Sequence, residues 1–228
     1  MFDTIAPRYD LMNSLMTFGL DNNWRDRTVR ALLLAPKARI LDLGCGTAGL
    51  SRRARRLGMV SLGVDLSLGM LRAAPPRSGP LVQADALVLP IATASLEGIV
   101  SGFALRNFSD LHAAFAEMAR VLGPVGRISL LEVLPPAGGL YGAGHRLWFE
   151  KVVPALGGLI SDRRAYRYLP ASLVYLPAPD VLASMLEDAG FRDVRQQKLL
   201  GVAQIVTATR TAPFRDRRRA RAAEKVTE

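Results

Sequence analysis

Cysteine occurs once in these 228 residues and histidine twice. A lone Cys45 excludes an intrachain disulfide and suits a reducing compartment. It has no partner of the kind a covalent nucleophile needs, so it reads as a small packing residue. The two isolated histidines, His112 and His145, are too few for a metal site, and no metal is expected. His112 falls on the exposed side of a helix pattern. No apolar run approaches the ~20 residues that cross a bilayer. The N-terminus carries no basic-then-apolar leader pattern. The expectation is a cytoplasmic protein, peripheral to the inner face of the membrane if it touches one. There are no internal repeats.

What is present is a globular composition, 50% hydrophobic and 22% charged, with length for one domain and a sizeable core. Basic residues outnumber acids, 30 against 20, for a net charge of +10. Six Lys/Arg and three acids lie beyond residue 210, so that tail holds +3 and residues 1–210 keep +7. Such a balance points to an anionic partner surface. The tail, residues 211–228, lacks apolar periodicity and is expected to be disordered.

Residues 1–210 are expected to form the domain, with 1–34 as a helical cap. In the stretch 8–34, apolar positions Leu11, Leu15 and Met16 precede Val29, Leu32 and Leu33. Gly19 separates the two parts and Asp21 is the expected N-cap of the second. Strands are expected at 38–43, 60–64, 81–84, 98–103, 127–133, 194–198 and 202–207. Helices at 47–57, 66–73, 111–122 and 179–189 alternate with them. Asp110 caps the third of these helices and Gly190 closes the fourth. Such alternation builds a mainly parallel α/β sheet covered on both faces, with ligands at the carboxyl ends of the strands. Only three residues separate the last two strands, which permits only an antiparallel pair. Between 135 and 178 the pattern breaks into prolines, glycines and aromatic residues, read as a helical insertion over the site.

The most informative stretch is Ile40-Leu41-Asp42-Leu43-Gly44-Cys45-Gly46-Thr47-Ala48-Gly49. An apolar strand ends in an acid, then runs into a glycine loop and a helix whose N-terminus offers unpaired N–H groups. Read as G-x-G-x-x-G, with Asp65 about 20 residues on, it matches a dinucleotide fingerprint. Asp42 argues otherwise. A carboxylate there would face the diphosphate of a dinucleotide, whereas it suits a ligand carrying an ammonium and a sulfonium, namely S-adenosylmethionine. Asp65 ends the second strand, where a carboxylate can take both ribose hydroxyls. Leu66 and Met70 follow, placed to sandwich adenine, and Asp85 ends the third strand, where it can accept from the adenine amino group. Each acid alone also reads as a helix cap or turn residue. Four features in this order predict a methyltransferase.

Beyond this motif the chain resembles the ubiquinone/menaquinone biosynthesis C-methyltransferases, within the class I, Rossmann-like adenosylmethionine-dependent methyltransferases, from Met1 to about Arg210. The opening segment Phe2-Asp3-Thr4-Ile5-Ala6-Pro7-Arg8-Tyr9-Asp10-Leu11-Met12-Asn13 carries the resemblance, with Trp24-Arg25 and Val64-Asp65-Leu66-Ser67 followed by Gly69-Met70-Leu71. So do Asp85-Ala86 with Leu89-Pro90, Phe103-Ala104-Leu105-Arg106-Asn107, and Tyr166-Arg167-Tyr168-Leu169-Pro170-Ala171-Ser172. It implies a seven-stranded sheet and methyl transfer to a ring carbon of a polyprenylated quinol, demethylmenaquinol or a ubiquinone precursor. It also implies cofactor contacts at Thr47, Asp65, Asp85, Ala86 and Gly102. The chain departs from the family pattern in four places. Ala48-Gly49 replaces Gly-Asp, Gly123-Pro124-Val125-Gly126 replaces a lysine-proline-glycine-glycine turn, Gly102 stands where some members have serine, and Ala104 replaces glycine. These departures leave open another small aromatic or lipid acceptor. A non-catalytic adenosylmethionine-binding partner in a quinone-synthesis complex also stays open.

Methyl transfer to a ring carbon needs the quinol oxygen held in its ionised form, beyond the roughly 7–11 kcal/mol that alignment removes. Arg106 is the candidate cation, with Asn107 and Tyr9 as hydrogen-bonding partners; the resemblance also places all three near the acceptor. Their plain readings are a surface ion-pair residue, a turn residue and a core ring. Arginines cluster at Arg52-Arg53 with Arg55-Arg56, at Arg163-Arg164 with Arg167, and in the tail. A solvated face, anionic lipid headgroups and nucleic acid are the competing readings. Nucleic acid is not expected, because no Asn/Asp-Pro-Pro-aromatic motif follows the fourth strand and no spare cysteine exists. Self-association into a homo-oligomer stays open.

Overall fold

The structure, a computed structural model, describes residues 3, 6, 9–134, 176–200 and 202–211. Its strands are β1 Arg39–Leu43, β2 Val60–Asp65, β3 Leu81–Gln83, β4 Leu96–Gly102, β5 Leu122–Val133, β6 Phe191–Leu199 and β7 Ala203–Arg210. They form one sheet in the order β3-β2-β1-β4-β5-β7-β6. β1 pairs in parallel with β2 and β4, β2 with β3, and β4 with β5. β7 enters between β5 and β6, antiparallel to both. All seven expected strands are present in the expected sense. The chain leaves β3 at one edge and returns on the other side of β1 as β4, which makes the β1/β4 boundary the switch point where such sheets bind ligands.

The helices are α1 Tyr9–Met16, α2 Leu20–Arg30, α3 Gly49–Arg56, α4 Leu68–Ala73, α5 Leu111–Val121 and α6 Pro179–Asp188. Period two sends Leu41 and Leu43 of β1 to one face of the sheet, and Ile40 and Asp42 to the other. Leu41 and Leu43 share a core with Phe115 and Met118 of α5 and Leu182 and Leu186 of α6. Ile40 packs with Val29 of α2 and with Leu50 and Ala54 of α3. Both faces are therefore covered. Asp110 caps α5 as expected, accepting from the Ala113 N–H at 3.0 Å, and Gly190, at φ +94°, closes α6.

Four details differ from expectation. Gly19, at φ +75°, is the N-cap of α2, because its left-handed backbone makes the turn between the two helices. Asp21 lies inside the helix instead, accepting from Thr17 Oγ1 at 3.1 Å and pairing with Arg25 at 3.4 Å. α1 buries Met12, Asn13 and Met16, so Leu11 and Leu15 of the expected apolar stripe are exposed. Leu33 follows α2 and is exposed as well. β5 begins at Leu122, paired with Leu96; residues 123–126 bulge out, with Val125 at φ 56°, before Arg127 pairs with Gly98. The expected insertion over 135–178 falls almost entirely outside the described residues, as do the tail beyond 211, His145, Arg163, Arg164 and the segment 166–172.

Candidate cofactor and acceptor site

A cavity of about 420 Å³ opens at the carboxyl ends of β1, β2, β3 and β4. Gly44 and Gly46 form its floor after β1, at φ +64° and +54°. A Cβ on Gly44 would lie 2.5 Å from the Ala104 Cβ of the opposite wall, so backbone conformation and close approach both require glycine there. Asp65 ends β2 on the wall. Its Oδ2 accepts from the Gly46 N–H and its Oδ1 from the Ser67 N–H, each at 2.8 Å. Burial pushes its pKa up, against those donors. The carboxylate so ties the glycine loop to the turn before α4, and it keeps lone pairs for ligand hydroxyls. Met70 is buried behind it, Leu66 stands exposed at the rim, and Asp85 and Ala86 follow β3. Asp85 accepts from the Leu87 N–H at 2.9 Å.

The charge of this lining is one-sided. Asp3, Asp65 and Asp85 line the cavity, and among the described residues no Lys, Arg or His does. A diphosphate would be repelled by these carboxylates, whereas a cationic nucleoside is complemented. Asp3 escaped the sequence reading. Its Oδ1 accepts from Ser67 Oγ at 2.8 Å and from the Gly69 N–H at 2.6 Å, and these donors hold its carboxyl below the usual range.

Of the expected cofactor residues, Gly44, Gly46, Asp65, Leu66, Met70, Asp85, Ala86 and Gly102 gather around this cavity. Asp42 and Thr47 lie behind it. Asp42 shares the face of Ile40, so its carboxylate turns under the loop toward α3, not into the cavity. Oδ2 accepts from the Ser51 N–H at 2.7 Å and Ser51 Oγ at 2.8 Å, while Oδ1 has no partner among the described residues. Ala48 at the N-cap of α3 has no side chain able to cap, and Asp42 supplies the acceptor from the neighbouring strand. Burial pushes its pKa up to about 7. Thr47 Oγ1 donates to Asp10 Oδ1 at 2.7 Å and fastens α1 to the loop. At Gly49, where the resemblance implies an acid, a Cβ would come within 2.8 Å of Arg25 Nη1. Arg25 fills that space, with its guanidinium 5.3 Å from the Phe103 ring centroid.

Beyond the end of β4, Tyr9 and Asn107 reach the cavity together with Phe103, Ala104 and Phe108. Asn107 Nδ2 donates to the Phe103 carbonyl at 3.4 Å. Arg106, the candidate fixed cation for the quinol oxygen, does not itself line the cavity. The short 3-10 turn Leu105–Asn107 sends consecutive side chains in different directions, and Arg106 points back into the protein. Its Nη1 meets Glu132 Oε2 at 3.1 Å, with both side chains buried. Glu132 was missed, although a lone acid in Ser129-Leu130-Leu131-Glu132-Val133 signals a buried charge in need of a partner. Cys45 is buried against Gly63, and burial pushes its thiol up, in keeping with a packing role. His112 is exposed on α5. In the arginine cluster of α3, Arg53 bonds the Gly49 carbonyl and Asn22 and pairs with Asp26 at 2.9 Å. Arg52 donates to the Thr47 carbonyl and stands 3.7 Å from Asp10.

This sheet order, with a glycine loop and an acid-lined cavity at its switch point, defines the fold and site of a class I adenosylmethionine-dependent methyltransferase. The profile of the ubiE/COQ5 methyltransferase family matches residues 1–210, and the chain belongs to that family. It is 41% identical over 222 residues to a ubiquinone/menaquinone biosynthesis C-methyltransferase UbiE of Syntrophotalea carbinolica, covering 93% of this chain and 94% of the relative. It is 44% identical over 216 residues to a demethylmenaquinone methyltransferase of Thermus thermophilus, covering 90% and 97%. The fold also resembles phosphoethanolamine N-methyltransferase 2 of Haemonchus contortus in complex with S-adenosyl-L-methionine. There the TM-score is 0.59 at 16% identity, over 82% of this chain and 53% of that one. The residues present fit adenosylmethionine: positive-φ glycines at the loop, carboxylates on the walls and a buried apolar Met70 behind them.

Proposed function

We propose that the chain methylates a ring carbon of a polyprenylated quinol, demethylmenaquinol or a ubiquinone precursor, in quinone biosynthesis. The observation that carries this reading is the cavity with carboxylates and no described cation on its walls, in a chain of the ubiE/COQ5 family. Relatives named for this chemistry, at 41% and 44% identity, support the acceptor class. Adenosylmethionine, when bound, supplies a methyl group on a positively charged sulfur. Asp65 is the residue for the ribose hydroxyls, Asp85 for the adenine amino group, and Leu66 and Met70 for the ring faces. Phe103 and Phe108 keep the acceptor wall apolar. Opposite charges cancel as an ionised quinol ring takes the methyl group, so excluding water favours the transfer. The Tyr9 hydroxyl and the Asn107 amide are the hydrogen-bonding groups for the quinol oxygen. Arg106 acts from behind Asn107.

The prenyl tail of such an acceptor lies in a bilayer, and a net charge of +10 favours an anionic one. Peripheral contact with that surface is part of this reading. Among the described residues no helix is long and apolar enough to cross a membrane. The test is incubation with labelled adenosylmethionine and a reduced quinone extract, alongside calorimetry with adenosylmethionine and a pyridine dinucleotide. Label in the quinone fraction is expected. Binding of the dinucleotide without heat from adenosylmethionine would overturn the reading.

A further inference from the structure

Resting on that reading, we propose that Glu132 is a positioning residue that sets the acceptor wall through its grip on Leu105 and Arg106. Glu132 sits at the end of β5 and is 1% exposed. A carboxylate in that place is costly to desolvate and needs fixed donors. It has two. Oε1 accepts from the Leu105 N–H at 2.7 Å, and Oε2 from Arg106 Nη1 at 3.1 Å. These donors belong to consecutive residues of one short turn, whose next residue is Asn107. The flanking Ala104, Asn107 and Phe108 line the cavity. One side chain thus holds the turn from behind at two points while the front of the turn forms the wall.

The turn needs such a hold. Its short backbone bonds run from the Asn107 N–H to the Ala104 carbonyl at 2.9 Å and from the Phe108 N–H to the Leu105 carbonyl at 3.1 Å, and Asn107 Nδ2 adds a longer one to the Phe103 carbonyl at 3.4 Å. It is entered through Phe103, a bulky residue at φ 62°, in the region that favours glycine. The Phe103 N–H donates to the Leu131 carbonyl at 2.7 Å. Leu131 and Glu132, adjacent in β5, therefore clamp the exit of β4 at Phe103, Leu105 and Arg106. The Arg106 charge is neutralised in this clamp, so its contribution reaches the acceptor through the placement of Asn107.

The test uses the full chain, with adenosylmethionine affinity measured by calorimetry and initial rates measured on a reduced, demethylated naphthoquinol carrying one prenyl unit. For Glu132→Gln, kcat/KM for the naphthoquinol is expected to fall about 100-fold while the adenosylmethionine Kd stays within about threefold. Glu132→Asp keeps the charge at shorter reach and is expected to fall in between. The double variant Glu132→Gln with Arg106→Met leaves no lone buried cation, and it is expected to fold and to show the same loss. A double variant with the unaltered rate overturns the inference, as does an adenosylmethionine Kd that rises in step with the lost rate. No methylation by the unaltered protein would overturn the quinol reading instead, and the inference with it.

Discussion

Asp42 lies beneath the glycine loop with one oxygen held by Ser51 and the other without a donor among the described residues. Burial lifts its pKa from 3.8 to about 7, against the Ser51 donors. In that interval the folded protein keeps a proton that the unfolded chain has released. Stability therefore falls as pH rises from 3.8 to about 7 and stays low above it. Asp42→Asn keeps an acceptor for Ser51 and removes the charge. The cofactor-free variant is expected to be more stable than the parent by roughly 2–4 kcal/mol at about pH 8, with the gain gone near pH 4. Urea midpoints across that range measure it, and an unchanged pH slope in the variant would remove Asp42 as its source. Asp65 differs because its carboxylate faces the cavity and ties Gly46 to Ser67. Asp65→Asn is expected to raise the adenosylmethionine Kd about 10- to 100-fold by calorimetry, the loss of a charge-assisted bond. Asp65 and Gly44 were legible because a strand end followed by glycine fixes where they sit. The direction of Asp42 was also written in the alternation of Ile40, Leu41 and Asp42, and the charge argument overrode it. The partner of Arg106 was not legible from spacing, since Glu132 lies 26 residues away, on β5.

At the level of elements, apolar runs and helix signals located all seven strands, because each strand is bounded by a cap, a glycine or a proline. Edges were harder. The Gly123-Pro124-Val125-Gly126 segment reads as a plain turn, yet the ladder exists on both sides of it, from Leu122 and again from Arg127. Only pairing with β4, a tertiary contact, makes it a bulge. The face of α1 was misread for a similar reason, since Leu11, Met12, Leu15 and Met16 offer two apolar stripes and packing on α2 selects one. The start of α3 carries a testable consequence. Gly49 opens the helix, and what a Cβ there would meet is the far end of a flexible Arg25 side chain. Gly49→Asp adds helix propensity and an acid at the positive end of the helix, and it gives Arg25 a new partner. The gain is expected to be about 1 kcal/mol, or about 2–4 °C in Tm. Calorimetric melting checks it, and a fall in Tm would show that Arg25 cannot move aside.

Across the whole molecule, the positive charge is less available than its count implies. Arg52 and Arg53 of α3 are engaged within the fold, so half of that cluster serves α1, α2 and the loop. The described apolar surface is more specific. Leu11 and Leu15 are 55% and 40% exposed on α1, with Phe18 exposed just beyond, and Tyr9 at the start of the same helix lines the cavity. Asp10 pins that helix to the glycine loop through Thr47. A lipid surface touching this face would therefore lie beside the cavity proposed for the quinol ring, and the prenyl tail would not have to leave the bilayer. On the proposed reading, the charge of +10 would supply long-range attraction to an anionic bilayer, and the two leucines would supply short-range insertion. Leu11→Ser with Leu15→Ser is expected to weaken binding to phosphatidylglycerol vesicles at least about tenfold. Methylation of a naphthoquinol with one prenyl unit should stay near that of the parent, because neither leucine lines the cavity. Raising salt should weaken vesicle binding of parent and variant alike, since it screens the charge and leaves insertion untouched. Vesicle binding by the double variant equal to that of the parent would exclude this face as the contact. A loss of turnover on the short-chain acceptor would mean instead that the two leucines hold α1, and Tyr9 with it, in place.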